Sequence, residues 1–146
     1  MFLLDTNIII AILRGKEDIV KKYQKISTKK LPIYLTTYSI SEIYIGFEDQ
    51  EHKQTNLEKF KIQKKLFDKM VDFLEVQKRI ISLELEDAKI LGKLLYHLKI
   101  QGNPIPFIDA ILGAIGISRN LKIITTDQKH FKVLISVNDK LMVDFW

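Results

Sequence analysis

The sequence predicts an α/β protein, with a three-layer α/β/α arrangement around a mainly parallel central sheet of about five strands. Short apolar runs rich in branched residues alternate along the chain with longer segments whose apolar residues recur at helical spacing. Strands that alternate with helices pair in parallel, and the helices then cover both faces of the sheet. The chain of 146 residues fits a single domain over residues 1–146, without repeats or linkers.

Five runs are candidate strands, because each is apolar or β-branched and is bounded by polar or turn-forming residues. They are residues 2–4, 33–36, 79–83, 122–126 and 141–145. The first run ends on Asp5 and the fourth on Asp127. The polar residues that close these strands are therefore the first places to look for chemistry.

Between the strands, apolar residues at helical spacing and capping residues predict helices. The predicted helices are residues 8–13, 17–26, a helix capped by Thr37 or Ser39 and ending at Gly46, and residues 57–70, 84–99 and 107–118. The last of these should be deeply buried, with Gly113, Ala114 and Gly116 allowing neighbours to approach closely. Residues 48–52 are polar and are expected to form a loop.

Composition restricts the class of protein. The chain has no cysteine, which excludes thiolate chemistry and cysteine-bound metal and fits a reducing cytoplasm, where we expect the protein to act. No signal-type segment or run of about 20 apolar residues is present, so no association with a membrane is expected. The net charge of +5 favours polyanionic partners, although a lysine-rich surface alone explains it equally well.

Four acids occupy comparable positions in this predicted fold. Asp5 and Asp127 follow strands, Glu42 lies on the helix after the second strand, and Asp109 lies near the start of the helix before the fourth strand. Ligands of open parallel sheets bind outside the carboxyl ends of the strands, where all four acids can converge. Each acid taken singly has a simpler explanation, as a helix cap or as a partner of a helix dipole.

Glu42 and Asp109 are harder to explain as structural residues. They lie in the apolar segments 40–45 (ISEIYI) and 105–112 (IPFIDAIL), and no basic residue stands three or four positions away on the same helix. Because an unpaired buried carboxylate is costly, a bound cation is a natural partner. Carboxylates with water as the remaining ligands suit Mg²⁺ or Mn²⁺, and such ions promote phosphodiester hydrolysis.

Four short motifs resemble those of the PIN-domain ribonucleases, and among them the VapC-type toxins. The motifs are residues 3–8 (LLDTNI), 41–46 (SEIYIG), 109–114 (DAILGA) and 125–131 (TTDQKHF). The closing residues 143–146 (VDFW) also look like the usual end of that group. The resemblance spans the chain and implies a PIN-like fold, a Mg²⁺ or Mn²⁺ cofactor and endonucleolytic cleavage of RNA. It also implies a cognate antitoxin and a homodimer.

Carried over residue by residue, the resemblance makes the four acids the catalytic metal ligands: Asp5, Glu42, Asp109 and Asp127. It implies that Thr6 and Asn7 orient Asp5 and the adjacent backbone, and that Thr125 supports the site by hydrogen bonding. The chain departs from the family pattern before and after the third acid, at residues 104–108 and at Gly113–Ala114. It also lacks the basic residue that family members often carry after the helix of the second acid.

Other readings of the same residues stay open. If the acids serve only as helix caps, the domain is a nuclease-dead module that binds RNA or protein. If they bind metal, the protein could also be a housekeeping RNA-processing nuclease. The lysines at 53, 59, 61, 64, 65 and 69 form a basic helix face that either is simply solvated or contacts RNA. His130 is expected to lie in a solvated loop, with contact to phosphate as the alternative. Asn7 excludes the haloacid-dehalogenase pattern, which needs a second acid there.

Overall fold

A computed structural model describes residues 1–53 and 57–146 of the chain. Five short strands within these residues form one sheet: β1 (Phe2–Leu4), β2 (Ile33–Thr36), β3 (Ile80–Ile81), β4 (Lys122–Thr125) and β5 (Val143–Phe145). They lie in the order β3-β2-β1-β4-β5, and every neighbouring pair is parallel. The prediction of a parallel sheet of about five strands is confirmed, with β3 and β5 shorter than expected.

Helices cover both faces of this sheet. The described residues form α1 (Thr6–Leu13), α2 (Glu17–Thr28), α3 (Thr37–His52), α4 (Leu57–Val76), α5 (Leu85–Ile100), α6 (Phe107–Ser118) and α7 (Gln128–Val137). Leu3 and Ile123 pack against α5, α6 and α7, whereas Leu4 and Ile124 pack against the first four helices. Successive strand residues therefore enter two separate cores, as the two-residue period of a strand requires. The predicted three-layer architecture is confirmed.

The polar stretch at residues 48–52 is helical, so the predicted loop is wrong. Helix α3 runs through Gly46 to His52 because Phe47 is buried, with its ring 5.7 Å from that of Phe60 and 5.8 Å from that of Phe67. The polar residues that follow lie mostly on the exposed side of the same helix. Apolar contact on one face thus extends the helix beyond the point where composition suggests a break.

Helix α7 lies outside the predicted elements. It begins directly after Asp127, and its apolar residues Phe131 and Leu134 are fully buried in the core formed with α5 and α6. Their spacing of three residues is helical, but the segment is short and contains several polar residues. The helix matters here because it carries His130, which therefore does not lie in a loop.

Two glycines bring α6 close to its neighbours, as predicted. A Cβ atom added at Gly116 would lie 3.0 Å from the side chain of Ile123 on β4, and one at Gly113 would lie 3.2 Å from Leu134 on α7. A larger residue at either position would have to displace a core side chain. The close packing holds the first turn of α6, with Asp109, beside the end of the sheet.

The basic helix α4 covers the core with its apolar side. Phe60 and Phe67 on this side of α4 are buried, as the sequence predicts. Three lysines of the basic face form ion pairs with acids on the same surface: Lys53 with Asp49, Lys61 with Glu58 and Lys64 with Glu51. The lysine-rich face is therefore partly neutralised by its own acids. No helix in the described residues is long and apolar enough to cross a membrane.

A buried ion pair joins α5 to the end of α6. The Arg119 Nη2 atom lies 2.6 Å from Oδ2 of the buried Asp87, and the same nitrogen donates to the carbonyl of Ser82 at 2.8 Å. Asp87 also accepts from the backbone N–H of Glu84 at 2.8 Å. Burial acts to raise the pKa of Asp87, but the hydrogen bonds from Arg119 and Glu84 hold this pKa below its usual value.

Replacing Asp87 by Asn should lower the free energy of unfolding at pH 7 by about 2–3 kcal/mol, because Arg119 loses a buried partner. Since the folded-state pKa of Asp87 is depressed, its stabilisation is present above the unfolded pKa of about 3.9 and is lost as the pH falls further. Chemical denaturation at pH 7 and pH 3 measures both effects. Asp49→Asn is the control, because Asp49 lies at the same 2.6 Å from Lys53 but in solvent. An equal loss in both variants would contradict the prediction.

Candidate metal centre

The strand order reverses next to β1, and polar residues gather at this point. The chain moves from β1 outward to β2 and β3, then crosses to β4 and β5 on the other side of β1. Parallel α/β sheets bind ligands in the crevice at such a reversal, beyond the carboxyl ends of the strands. Asp5 follows β1, and Thr125 ends β4 with Asp127 two residues later. The fold therefore brings the two segments predicted to carry chemistry side by side.

Asp5 is buried and tightly held. Its Oδ2 atom accepts hydrogen bonds from Thr125 Oγ1 and from Asn7 Nδ2, both at 2.6 Å. Asn7 Oδ1 in turn accepts from the backbone N–H of Thr126 at 3.1 Å, and Thr125 Oγ1 accepts from the N–H of Asp127 at 2.9 Å. Asp5 occupies the N-cap position of α1 but makes no capping hydrogen bond with its side chain. Its carboxylate therefore faces the end of β4 instead of serving as a helix cap.

Glu42 enters from the other side, on α3. The Thr6 hydroxyl donates to Glu42 Oε2 at 2.5 Å, so Thr6 positions this acid by a direct contact. Helix α3 begins after Thr36, whose hydroxyl accepts from the N–H of Ser39 at 2.9 Å. The N-cap is therefore Thr36, and not Thr37 or Ser39 as predicted. Glu42 is half-buried, and its oxygen is satisfied by a neutral hydroxyl.

Asp127, Asp109 and His130 make the tightest group. Asp127 Oδ1 caps α7 by accepting from the N–H of His130 at 3.0 Å. The Nδ1 atom of His130 lies 2.7 Å from Asp127 Oδ2 and 2.9 Å from Asp109 Oδ2. The simpler reading of Asp127 as a helix cap is therefore correct for one of its oxygens. The other oxygen faces Asp109 and the imidazole.

The pKa values of two acids report the crowding. Burial, followed by the charge of Asp5, raises the pKa of Asp109 to about 6, and the charges of Asp127 and Glu42 add to the increase while His130 opposes it. Burial also raises the pKa of Asp5 against hydrogen bonds from Thr125 and Thr6, and the charges of Glu42 and Asp127 raise it further. The charges of Glu42 and Asp127 therefore disfavour the ionised forms of Asp5 and Asp109.

The donor set fits a divalent cation. Among the residues that the structure describes, Asp109, Asp127 and His130 offer ligand atoms that all lie within 4.8 Å of one another. His130 Nδ1 is buried and makes no hydrogen bond of acceptable geometry within the described part of the chain. Repelling carboxylates beside a buried, unsatisfied nitrogen are the arrangement that a cation would stabilise. Asp5 and Glu42 lie outside this tightest group and add negative charge beside it.

A groove leads away from Glu42 between α1, α3 and α4. Its lining includes Glu42, the apolar residues Leu13 and Phe47, and the basic side chain of Arg14. Arg14 follows α1 directly, so the helix that starts at the carboxyl end of β1 also places a cation at the groove. An anionic ligand that reached the four acids along this groove would pass Arg14.

The four predicted acids lie near one another in the structure, and Asn7 and Thr125 contact Asp5; the position of His130 beside Asp109 and Asp127 was not predicted. The missing signal is the spacing of Asp127 and His130: a capping aspartate and the residue three positions later lie within one helical turn. Recognising α7 would have placed the imidazole beside its cap. Thr6 was expected to orient Asp5, and its side chain contacts Glu42 instead.

Known proteins share this architecture. A family model of the PIN domain matches residues 2–134. The FitAcB structure from Neisseria gonorrhoeae superposes with a TM-score of 0.78 at 22% identity, covering 100% of this chain and 97% of the other. VapBC2 from Rickettsia felis, bound to a DNA fragment from its promoter, gives a TM-score of 0.73 at 21% identity, with coverage of 99% and 98%.

DNA-bound VapBC from Salmonella typhimurium gives a TM-score of 0.76 at 18% identity and covers 99% of this chain and 97% of the other. No curated protein matches the chain. Identities this low establish a shared fold, while the family model extends over most of the sequence. The chain belongs to the PIN domain family.

Proposed function

We propose that this chain is a Mg²⁺- or Mn²⁺-dependent endoribonuclease whose catalytic metal ligands are Asp5, Glu42, Asp109 and Asp127. The observation that carries the proposal is the convergence of these acids at the carboxyl edge of the sheet, where burial and neighbouring negative charge raise the pKa values of Asp5 and Asp109. Bringing these negative charges together in a partly buried site costs folding free energy, even though Asp127 also caps α7 with one of its oxygens. A divalent cation converts that cost into binding energy.

The residues divide the work at the site. A divalent ion bound there would neutralise charge on the scissile phosphate and supply an acidified water for hydrolysis. Asp109 in the first turn of α6 and Asp127 at the N-cap of α7 would hold the ion. Asp5 is fixed by Thr125 and Asn7 and keeps its carboxylate in one orientation. These hydrogen bonds pre-organise the site before substrate arrives.

The surface charge supports a polyanionic substrate. The net charge of +5 includes the four acids at the site, so the remaining surface is more basic than this value indicates. Arg14 in the groove beside Glu42 is placed to contact a phosphate. The resemblance to PIN-domain ribonucleases selects RNA among polyanions. A cysteine-free chain suits the reducing cytoplasm, where such a substrate is found.

We further propose that the protein is a VapC-type toxin that forms a homodimer and is bound by a cognate antitoxin. The related structures support this assignment, because they include a toxin–antitoxin complex from Klebsiella pneumoniae and VapBC complexes from several bacteria. The alternative is a housekeeping RNA-processing nuclease of the same family. A short reading frame for a small antitoxin next to the gene would favour the toxin.

Cleavage of single-stranded RNA by the purified protein should require Mg²⁺ or Mn²⁺ and stop in EDTA. Asp109→Asn and Asp127→Asn should each reduce the cleavage rate at least about 100-fold, because each removes a charge that holds the ion. Asp144→Asn is the matched control, since Asp144 is an exposed aspartate on β5. Full cleavage in EDTA, or in both site variants, would refute the metal-dependent mechanism, whereas absence of cleavage with either ion would favour a nuclease-dead binding module.

Removing one repelling charge should stabilise the metal-free protein. In EDTA at pH 8, Asp109→Asn should raise the free energy of unfolding by about 1–2 kcal/mol, as judged from the raised pKa. The penalty is complete above pH 6 and is lost as the pH falls through the unfolded pKa of about 3.9, so the difference should vanish near pH 3. Urea denaturation at both pH values measures it. A variant less stable than the wild type at pH 8 would contradict the expected repulsion.

Expression of the wild-type chain in a bacterial host without its antitoxin should arrest growth. Asp109→Asn should abolish the arrest, and Asp144→Asn should retain it, because only the former removes a proposed metal ligand. Viable counts after induction measure the effect, with immunoblots to verify equal protein levels. Normal growth despite metal-dependent RNA cleavage in vitro would favour the processing nuclease over the toxin.

A further inference from the structure

The imidazole of His130 belongs to the tightest group at the site, with Asp109 and Asp127, although the proposed function assigns it no part in holding the ion. Its Nδ1 atom is within 2.9 Å of both Asp109 Oδ2 and Asp127 Oδ2. The atom is buried and has no hydrogen bond of acceptable geometry among the described residues. A ring nitrogen that was present only to donate to a carboxylate would point its N–H at one acceptor. Here the nitrogen lies within 2.9 Å of two carboxylate oxygens and makes a hydrogen bond to neither.

The position of the ring is rigidly determined. Asp127 caps α7, and its Oδ1 atom accepts from the N–H of His130, which fixes the residue relative to the cap. The next residue, Phe131, is fully buried, as is Leu134 one turn further along. The histidine backbone is therefore held at both ends, by the cap and by the core. The imidazole is pre-organised on a helix, which is how precise ligand sites are built.

The spacing of the three atoms suits a shared ion. Adjacent ligands of an octahedral ion with bonds near 2.1 Å lie about 3 Å apart. The observed distances of 2.7 and 2.9 Å from Nδ1 to the two oxygens are close to this value. One nitrogen and two carboxylate oxygens, all within 4.8 Å of one another, can therefore share one coordination sphere. Water and the remaining acids would complete it.

We propose that His130 is a direct ligand, through Nδ1, of the divalent ion held by Asp109 and Asp127, and that this nitrogen makes the centre prefer Mn²⁺ to Mg²⁺. The inference rests on the proposed metal dependence and adds a ligand to it, but does not depend on RNA as substrate. Mg²⁺ favours oxygen ligands, whereas imidazole nitrogen suits transition-metal ions. A centre with one nitrogen among its donors thus shifts away from Mg²⁺.

Mn²⁺ itself is the probe that tests this ligand. Pulsed EPR of Mn²⁺ bound to protein labelled with ¹⁵N at histidine alone should show a directly coordinated nitrogen in the wild type. The coupling should disappear in His130→Gln and persist in His97→Gln, a matched control on the exposed side of α5. Mn²⁺ affinity, from the EPR signal of the free ion, should fall at least about tenfold in His130→Gln. Mg²⁺ affinity, measured by competition, should fall less.

The outcomes separate the ligand from the function. Mn²⁺ that binds to the wild type without histidine coupling would overturn the role of His130 and leave the four-acid nuclease intact. Equal losses of Mn²⁺ and Mg²⁺ affinity in His130→Gln would overturn the preference. Absence of Mn²⁺ binding would overturn both the inference and the metal-dependent nuclease. Histidine coupling in a protein that cleaves no RNA would support the ligand and refute the function. A wild-type spectrum without histidine coupling decides against His130 whether or not the variant folds, and coupling that is lost in His130→Gln but kept in His97→Gln identifies His130 as its source.

Discussion

The hydrogen bond from Thr125 to Asp5 is the contact on which the candidate centre depends. It joins the ends of the two central strands, which pair in register at Leu4 and Ile124, and it holds a buried carboxylate in one orientation at 2.6 Å. The same Thr125 oxygen accepts the N–H of Asp127, where α7 begins. One hydroxyl thus fixes the first acid and the start of the helix that carries His130. Both halves of the centre share this anchor.

The remaining acids reach the centre from opposite layers. Glu42 lies on α3, which packs in the core with Leu4, and Asp109 lies on α6, which packs in the core with Leu3. The alternation of strand residues therefore separates two apolar cores and leaves their polar helix segments to meet only beyond the carboxyl edge of the sheet. The close approach of α6 at Gly116 limits how far Asp109 can move away. Convergence of the acids is thus a consequence of packing on both faces.

Much of this arrangement could be predicted from local pattern alone. The strands are short, apolar and β-branched, and the parallel topology follows from their alternation with helices, so Asp5 and Asp127 could be placed at one edge. The loop predicted at residues 48–52 is helical because Phe47 contacts Phe60 and Phe67, a long-range interaction that composition does not reveal. The proximity of His130 to Asp109 likewise depends on the packing of α7 against α6. The spacing of three residues between Asp127 and His130 predicts only the contact between these two.

The centre works against the stability of the fold around it. Asp109 and Asp5 have raised pKa values because burial and like charge both disfavour their ionised forms. The cores that surround them contain entirely buried side chains such as Phe67 and Phe131, and they supply the stability that the acids remove. Natural proteins commonly give up stability in this way where ligands must bind. An imidazole held between two carboxylates fits the same logic, because its unsatisfied nitrogen is useful only when something else is bound.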